Sequence, residues 1–315
     1  MQVVETKQNK RQETRRRAAV RARLSVLDDA FAPSRALRIV DIGANPINTP
    51  PYADLFDLGG CDLWGFEPGD EAFAALQAEQ QDRAHYVKAA VGKPGPADFY
   101  PHPQSGLASC VPIDAASVAR IGKARWHKPD LQPIQMTLVG LDQLDEAELP
   151  KPDVVKIDIQ GGELDVFVHG RDRLSDAICV ICEVRFHRIY QNEPKWREVD
   201  EELAHQGFAL HKFDFTKTVG LDHSQRGRLD ARATRSQLLD GDAIYIRALD
   251  TMDEWTDTQV KSLAYTAACV IDSHDLALVA LDELVRRGSI ADTTPETYVA
   301  SLPRWMRQSR PAEQN

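Results

Sequence analysis

The stretch LRIVDIGANPINTPPY at residues 37–52 constrains the fold more than any other part of this sequence. Residues 39–42 include three β-branched side chains in an apolar run, as in a strand buried at the centre of a parallel sheet. Gly43 and Ala44 follow, and their small size lets a ligand approach the backbone. The stretch predicts the first strand of a parallel α/β domain, with a cofactor-binding loop at its carboxyl end. A plain turn after a strand is the alternative.

Acidic residues end two further predicted strands. Glu67 follows the run at 62–66, about 24 residues after the glycine turn, near the offset of an acid that binds a ribose. A charge favourable to the next helix is its alternative role. Asp158 ends the run in DVVKIDIQGG at 153–162. Because the carboxyl ends of parallel strands meet at one edge, we expect Asp41, Glu67 and Asp158 to face one crevice.

Strand-like and helix-like segments alternate from residue 37 onward, which indicates a parallel sheet flanked by helices. The strands at 208–213 and 243–248 lack a strong helix between them and predict an antiparallel pair at the sheet edge. After residue 250, apolar residues at helical spacing predict helices at 258–272, 276–286 and 295–302. We therefore predict three parts: a basic N-terminal helical arm at 1–34, the α/β domain at 35–250, and a helical C-terminal appendage at 251–315.

Composition narrows the class of protein and its compartment. The chain has 38 Lys and Arg against 48 Asp and Glu, and a net charge of -10 argues against a general nucleic-acid binder. No apolar run reaches about 18 residues, so we expect no membrane span. Five cysteines, an odd number, favour reduced thiols in a cytoplasmic protein. Cys179 and Cys182 would point to opposite faces of a strand, which favours buried thiols over a metal or redox pair.

Three segments leave two interpretations open. The basic run at 7–23 could dock on an anionic partner or on the acidic body of another subunit, but a solvated helix is favoured. The helices at 251–315 could mediate a homodimer or form a lid, and a cap over one sheet face is slightly preferred. The irregular segment at 101–133 is either a substrate-side lid or a surface loop.

An ordered set of motifs resembles the FkbM family of S-adenosylmethionine-dependent methyltransferases. The resemblance covers about residues 37–214. It implies a Rossmann-like methyltransferase fold: a mostly parallel seven-stranded sheet with helices on both faces and a reversed last strand. It also implies O-methylation of a hydroxyl on a sugar or another secondary metabolite. The motifs are VDIGAN at 40–45, FEP at 66–68, AAVG at 89–92, TLVGLDQL at 137–144, DVVKIDIQGGELDVFVHG at 153–170 and EVRFH at 183–187.

The resemblance also assigns roles around the cofactor S-adenosyl-L-methionine. Asp158 would lie by the transferred methyl group. Residues that would bind the cofactor are Asp41, Gly43, Ala44 and Asn45 at its methionine part, Glu67 at the ribose, Pro68 at the adenine side, and Ala90 and Val91 near the adenine.

A hydroxyl nucleophile must lose its proton, and Asp158, Glu183 and His187 are the candidate catalytic bases near the carboxyl edge. A histidine just after a strand is more often structural, so His187 has that alternative. The carboxylates could instead hold a divalent cation, but a metal-free base is favoured.

Two departures from the family pattern keep another function open. Ile47 stands where the family usually has glycine, among Pro46, Pro50 and Pro51, which predicts a stiffer loop. Gln160 stands where the family usually has Glu, which removes a carboxylate. A non-catalytic cofactor-binding or assembly protein on the same fold is the alternative. A nicotinamide enzyme is disfavoured because G-x-G-x-x-G is absent. The acceptor would be a small molecule or a glycan.

Overall fold

A computed structural model describes residues 7–45, 49–78 and 81–308, with backbone alone for residues 7–11 and 105. Pro46 and Ile47, on which the prediction of a stiff loop rests, lie outside the described residues. The chain divides into two compact units. The first comprises residues 1–37, 47–62 and 250–315, and the second comprises residues 38–46 and 63–249.

The described residues contain the following regular elements. The strands are β1 (Leu37–Ile42), β2 (Cys61–Phe66), β3 (Ala84–Val87), β4 (Ala90–Val91), β5 (Gly95–Phe99), β6 (Ile134–Val139), β7 (Val154–Ile157), β8 (Cys179–Arg185), β9 (Phe208–Val219) and β10 (Gln237–Arg247). The helices are α1 (Lys7–Phe31), α2 (Ala53–Asp57), α3 (Asp70–Ala78), α4 (Ala115–Arg120), α5 (Glu163–Val168), α6 (Trp196–His205), α7 (Asp257–Cys269), α8 (His274–Arg286) and α9 (Thr294–Ser301).

The main sheet has seven strands in the order β3-β2-β1-β7-β8-β10-β9. β1, β7 and β8 pair in parallel, as do β2 and β3, whereas β10 runs antiparallel to both of its neighbours. The predicted Rossmann-like, mostly parallel seven-stranded sheet with a reversed last strand is confirmed. The β9–β10 pair is longer than predicted, because pairing continues from Phe208 to Val219.

A second sheet, β4-β6-β5, was not distinguished from the main sheet by sequence. The run at 85–90 looks like a single strand, but the Ala89 N–H bonds back to the Val87 oxygen at 3.0 Å. This tight turn divides the run between two sheets, with β3 in the main sheet and β4 beside β6. β6 also pairs with β5 in antiparallel fashion.

The second unit has a core of β-branched and aromatic side chains from the central strands. Val40, Val155 and Val180 are fully buried in it, together with Phe167 of α5. The segment at 101–133 is more regular than predicted, since it forms α4. Val118 of this helix joins a smaller buried cluster together with Ile121, Ile189, Tyr190 and Leu239.

The first unit is built on α1, which contacts α2, α7 and α9. Leu27 is fully buried, with further buried apolar side chains on the same helix face. Arg16 and Arg17 both contact the buried Asp54 of α2, at 2.5 and 3.3 Å. These two arginines of the basic run are therefore paired within their own unit. The buried apolar residues of α1 are Val20, Leu24, Leu27 and Phe31.

No helix in the described parts of the chain has the length and apolar character to cross a bilayer.

Candidate active site

Asp41 and Lys156 form a largely buried ion pair where β1 lies beside β7. The two residues are opposite each other in the strand register, and Lys156 Nζ lies 3.1 Å from Asp41 Oδ1. Burial alone would lower the pKa of Lys156, but the nearby carboxylates of Asp41 and Asp158 outweigh it and the pKa is raised. Lys156 thus stays charged, and Asp41 is the partner that a buried lysine requires.

The turn after β1 brings three strand ends together. Gly43 has φ +83°, and a Cβ placed there would lie 2.2 Å from the Asp158 carbonyl oxygen, so only glycine fits. The N–H groups of Gly43 and Ala44 donate to the Phe66 oxygen at 2.9 and 3.1 Å. The Asp158 N–H donates to the Ile42 oxygen at 3.0 Å. The ends of β1, β2 and β7 therefore meet at one edge, as the sequence predicts.

Glu67 is a buried acid at the end of β2. Its Oε1 accepts the Gly69 N–H at 2.7 Å, the only side-chain hydrogen bond that this residue makes within the described parts of the chain. Burial raises the pKa of Glu67, the Gly69 N–H opposes the rise, and Asp41 adds to it. The carboxyl group retains acceptor capacity, so its chemistry fits the hydroxyls of a ribose.

Asp158 and Glu183 are joined by the side-chain amide of Gln160. The Gln160 Nε2 lies 2.6 Å from Asp158 Oδ1 and 2.7 Å from Glu183 Oε2. Two of the three predicted catalytic residues are therefore brought to one point after β7 and at the end of β8. Gln160 itself has φ 63°, which is uncommon for a residue with a side chain.

Arg185 supports this pair from β8. Its guanidinium is buried and contacts Glu183 at 2.7 Å, Glu193 at 2.9 Å and Asp240 at 3.0 Å. Three carboxyl groups thus share one guanidinium, which favours a proton on one of them. Burial raises the pKa of Glu183 well above its usual range. The charge of Arg185 opposes this rise, and the charge of Asp158 adds to it.

Two neighbouring acids at this edge also have raised pKa values. Burial raises the pKa of Glu163 to about 7, against the opposing effect of Arg185. Burial and then Asp158 raise the pKa of Asp242 to about 6. A cationic ligand would favour the ionised forms of these acids. In the described parts of the chain, no group of three or more His, Cys, Asp or Glu side chains is arranged to hold a metal ion.

The side-chain hydrogen bonds of His187 go to α4 and not to Asp158 or Glu183. Its Nε2 is 3.1 Å from Ser117 Oγ and 3.2 Å from the Ser117 oxygen, on α4. Ser117 Oγ also donates to the Arg188 oxygen at 2.7 Å. The imidazole therefore joins α4 to the segment after β8.

The remaining residues assigned to the cofactor lie in two places. Asn45 and Pro68 are half-buried and directly follow the strand-end residues Ala44 and Glu67. Ala90 and Val91 are buried in β4 and pair with β6. Val91 packs in the main core.

Sequence reasoning missed several residues of this cluster. Asp240 and Asp242 face Arg185 and Glu183 across the β8–β10 register. Two acids spaced by one residue within an apolar strand share a face, and this pattern in LLDGDAIYI was the available signal. Glu193 lies in the loop between β8 and α6, where no sequence pattern indicates its role. Its Oε2 accepts the Ile189 N–H at 2.6 Å.

A family model described as the methyltransferase FkbM domain matches residues 41–210, more than half of the chain. The chain belongs to this family. It is therefore an S-adenosylmethionine-dependent methyltransferase, and the match includes every residue of the candidate active site except Asp240 and Asp242. A search of curated proteins found no match.

Solved structures similar to this FkbM-family chain are remote. A magnesium protoporphyrin IX methyltransferase from Synechocystis PCC 6803 with bound SAM is 12% identical, with TM-score 0.36, over 74% of this chain and 79% of that chain. A TehB-like SAM-dependent methyltransferase from Corynebacterium glutamicum is 11% identical, with TM-score 0.33, over 76% and 97% of the two chains.

Proposed function

We propose that this FkbM-family enzyme transfers a methyl group from S-adenosyl-L-methionine to a hydroxyl of a sugar or another secondary metabolite. The observation that carries the proposal is Asp158, whose backbone carbonyl lies against the Gly43 turn and whose side chain accepts a hydrogen bond from the Gln160 amide. A carboxylate at this strand end can take the proton of a hydroxyl as the nucleophile forms its bond to carbon.

The cofactor would be bound at the ends of β1 and β2. Asp41, Gly43, Ala44 and Asn45 are proposed for its methionine part. Glu67 is proposed for the ribose, which its spare acceptor capacity supports. Proposed for the adenine are Pro68, Ala90 and Val91.

The bound cofactor supplies a methyl group on a positively charged sulfur, which is already a good leaving group. The protein's main task is then to align the nucleophile and to remove its proton. The Asp158 carboxylate favours the cationic cofactor over its neutral product.

Asp158 is the proposed base, and Glu183 its proton-holding neighbour. Because the pKa of Glu183 is raised well above its usual range, this group retains a proton more readily and is the weaker candidate at neutral pH. His187, bonded to Ser117, is proposed to position α4.

The cofactor site is tested by calorimetric titration of the full chain with S-adenosylmethionine. We expect Asp41→Ala and Glu67→Ala each to weaken binding by about 10-fold or more, since each removes a charged hydrogen-bonding group. Circular dichroism should show that both variants fold. The exposed Glu146→Ala is the matched control and should bind like the wild type. Unchanged affinity in both site variants would overturn the assignment.

The catalytic role of Asp158 is tested by transfer of a labelled methyl group to a panel of hydroxylated acceptors. We expect Asp158→Asn to lower kcat by about 100-fold or more, because loss of a general base typically costs this much. Cofactor affinity should change much less. Equal loss of turnover and affinity would make Asp158 a binding residue. Cofactor binding without transfer to any acceptor would favour the non-catalytic cofactor-binding protein.

A further inference from the structure

Gln160 contacts both Asp158 and Glu183. Its Nε2 is within 2.7 Å of a carboxyl oxygen of each. An amide nitrogen carries two hydrogens, so one can be donated to each acid. The two acidic groups are thus held at one donor rather than left to repel each other.

The amide can adopt only one orientation here. Gln160 Oε1 accepts from Arg185 Nη2 at 2.6 Å and lies 3.3 Å from the Tyr190 hydroxyl. Reversing the amide would place its oxygen against two carboxyl oxygens and its nitrogen against a guanidinium. The surrounding donors and acceptors therefore fix which atom faces the acids.

The backbone of Gln160 is held as firmly as its side chain. The buried Ser109 Oγ donates to the Gln160 oxygen at 2.6 Å and accepts the Val111 N–H at 3.0 Å. This contact comes from the segment at 101–133 and supports the left-handed φ of 63°. A hydrogen bond of this kind offsets the cost of an uncommon backbone conformation.

We propose that Gln160 is a positioning residue whose amide takes the place of a divalent cation between Asp158 and Glu183. This inference rests on the proposed role of Asp158. A carboxylate at position 160 would put three acids within hydrogen-bonding distance around Arg185, whose single charge is already shared. Such a set requires a proton or a further cation. The neutral amide instead aligns Asp158 through hydrogen bonds alone.

The test is Mn²⁺ titration of the full chain, followed by calorimetry and by the electron paramagnetic resonance of free Mn²⁺. Wild type should bind no Mn²⁺ that depends on Asp158. Gln160→Glu should bind one ion at least about 10-fold more tightly than wild type, because carboxylate number sets affinity at such sites. Adding Asp158→Asn to that variant should remove the ion. Gln12→Glu adds the same charge at an exposed position and is the control.

Two outcomes of this titration would overturn the proposal. One is a wild-type Mn²⁺ ion that Asp158→Asn removes, because the amide would then not replace a cation. The other is a Gln160→Glu chain that melts at the wild-type temperature yet binds Mn²⁺ no better than wild type. Neither outcome depends on methyl transfer, so the result is separate from that of the proposed function.

Kinetic measurements provide a second test, because a purely structural role of Gln160 would not produce the changes expected here. On an acceptor identified in the panel, Gln160→Leu should lower kcat and leave the KM for S-adenosylmethionine within about 3-fold, as expected for loss of alignment alone. Gln160→Glu should become dependent on added Mn²⁺, whereas wild type should not respond to a chelator. Equal changes in kcat and KM, or a wild type inhibited by the chelator, would contradict the positioning role.

Discussion

Single residues carry the chemistry of this protein, and several of them act by holding a neighbour. Glu163 is an example, because its carboxyl group accepts the N–H groups of Ile159 at 3.2 Å and of Gly161 at 3.0 Å. These bonds close the loop that presents Asp158 and Gln160. Glu163 thus caps the loop that forms the site.

Glu163 also predicts how stability depends on pH. Its pKa is raised from 4.5 to about 7 in the folded chain because the group is buried. The folded state therefore holds the Glu163 proton more tightly than the unfolded state does. The stabilisation of the folded state that results is fully present below pH 4.5 and is lost as pH rises through 7. Glu163→Gln cannot ionise at this position. Between pH 4.5 and 7 its free energy of unfolding should therefore fall by about 1–3 kcal/mol less than that of wild type.

Urea unfolding at several pH values measures this difference. Asp242 titrates in both proteins. Loss of the Glu163 charge also makes the pKa of Glu183 less raised, which reduces the pH dependence of the variant in the same direction. Glu146→Gln, at an exposed position, is the control and should follow the wild-type curve. Parallel curves for wild type and Glu163→Gln would show that the buried carboxyl does not titrate as expected.

At the scale of elements, most strands and helices followed from local patterns, but most of their packing partners did not. The helices predicted at 258–272, 276–286 and 295–302 correspond to α7, α8 and α9. The basic run at 7–23 was predicted to be helical, and α1 confirms it. That Arg16 and Arg17 meet Asp54 could not be read from the run, because charge pairing depends on which helix packs alongside.

Packing of α1 predicts a large effect of one substitution. Leu27 is fully buried in the helical unit, and Leu27→Ala should lower the free energy of unfolding by about 2–5 kcal/mol through the lost apolar contacts and the cavity left behind. Urea unfolding followed by circular dichroism measures the change. Val279→Ala removes an exposed aliphatic side chain from α8 and should cost far less. Equal losses in the two variants would mean that α1 does not pack as described.

Across the whole molecule, the five cysteines are free, and four of them are buried. Cys179 and Cys182 are plain buried thiols, as predicted. Burial raises the pKa of Cys179 and of Cys269 to about 12, and that of the half-buried Cys110 to about 11. A thiol reacts as its thiolate, so the folded chain should be nearly inert.

Thiol titration with Ellman's reagent at pH 8 tests this state. The native chain should show at most one slowly reacting thiol, assigned to Cys110, and all five should react after unfolding in guanidinium. Cys110→Ser should abolish the slow reaction. Rapid labelling of two or more thiols in the native chain would contradict the described burial.

The sequence by itself determined the strand order along the chain, the acids that end β1, β2 and β7, and the family resemblance. These features are local, because burial patterns and turn residues repeat over a few positions. Only the tertiary structure decided that Lys156 pairs with Asp41, that β4 leaves the main sheet, and that Gln160 joins two acids. Such contacts depend on strand register and on loop conformation, which bring together residues far apart in the chain.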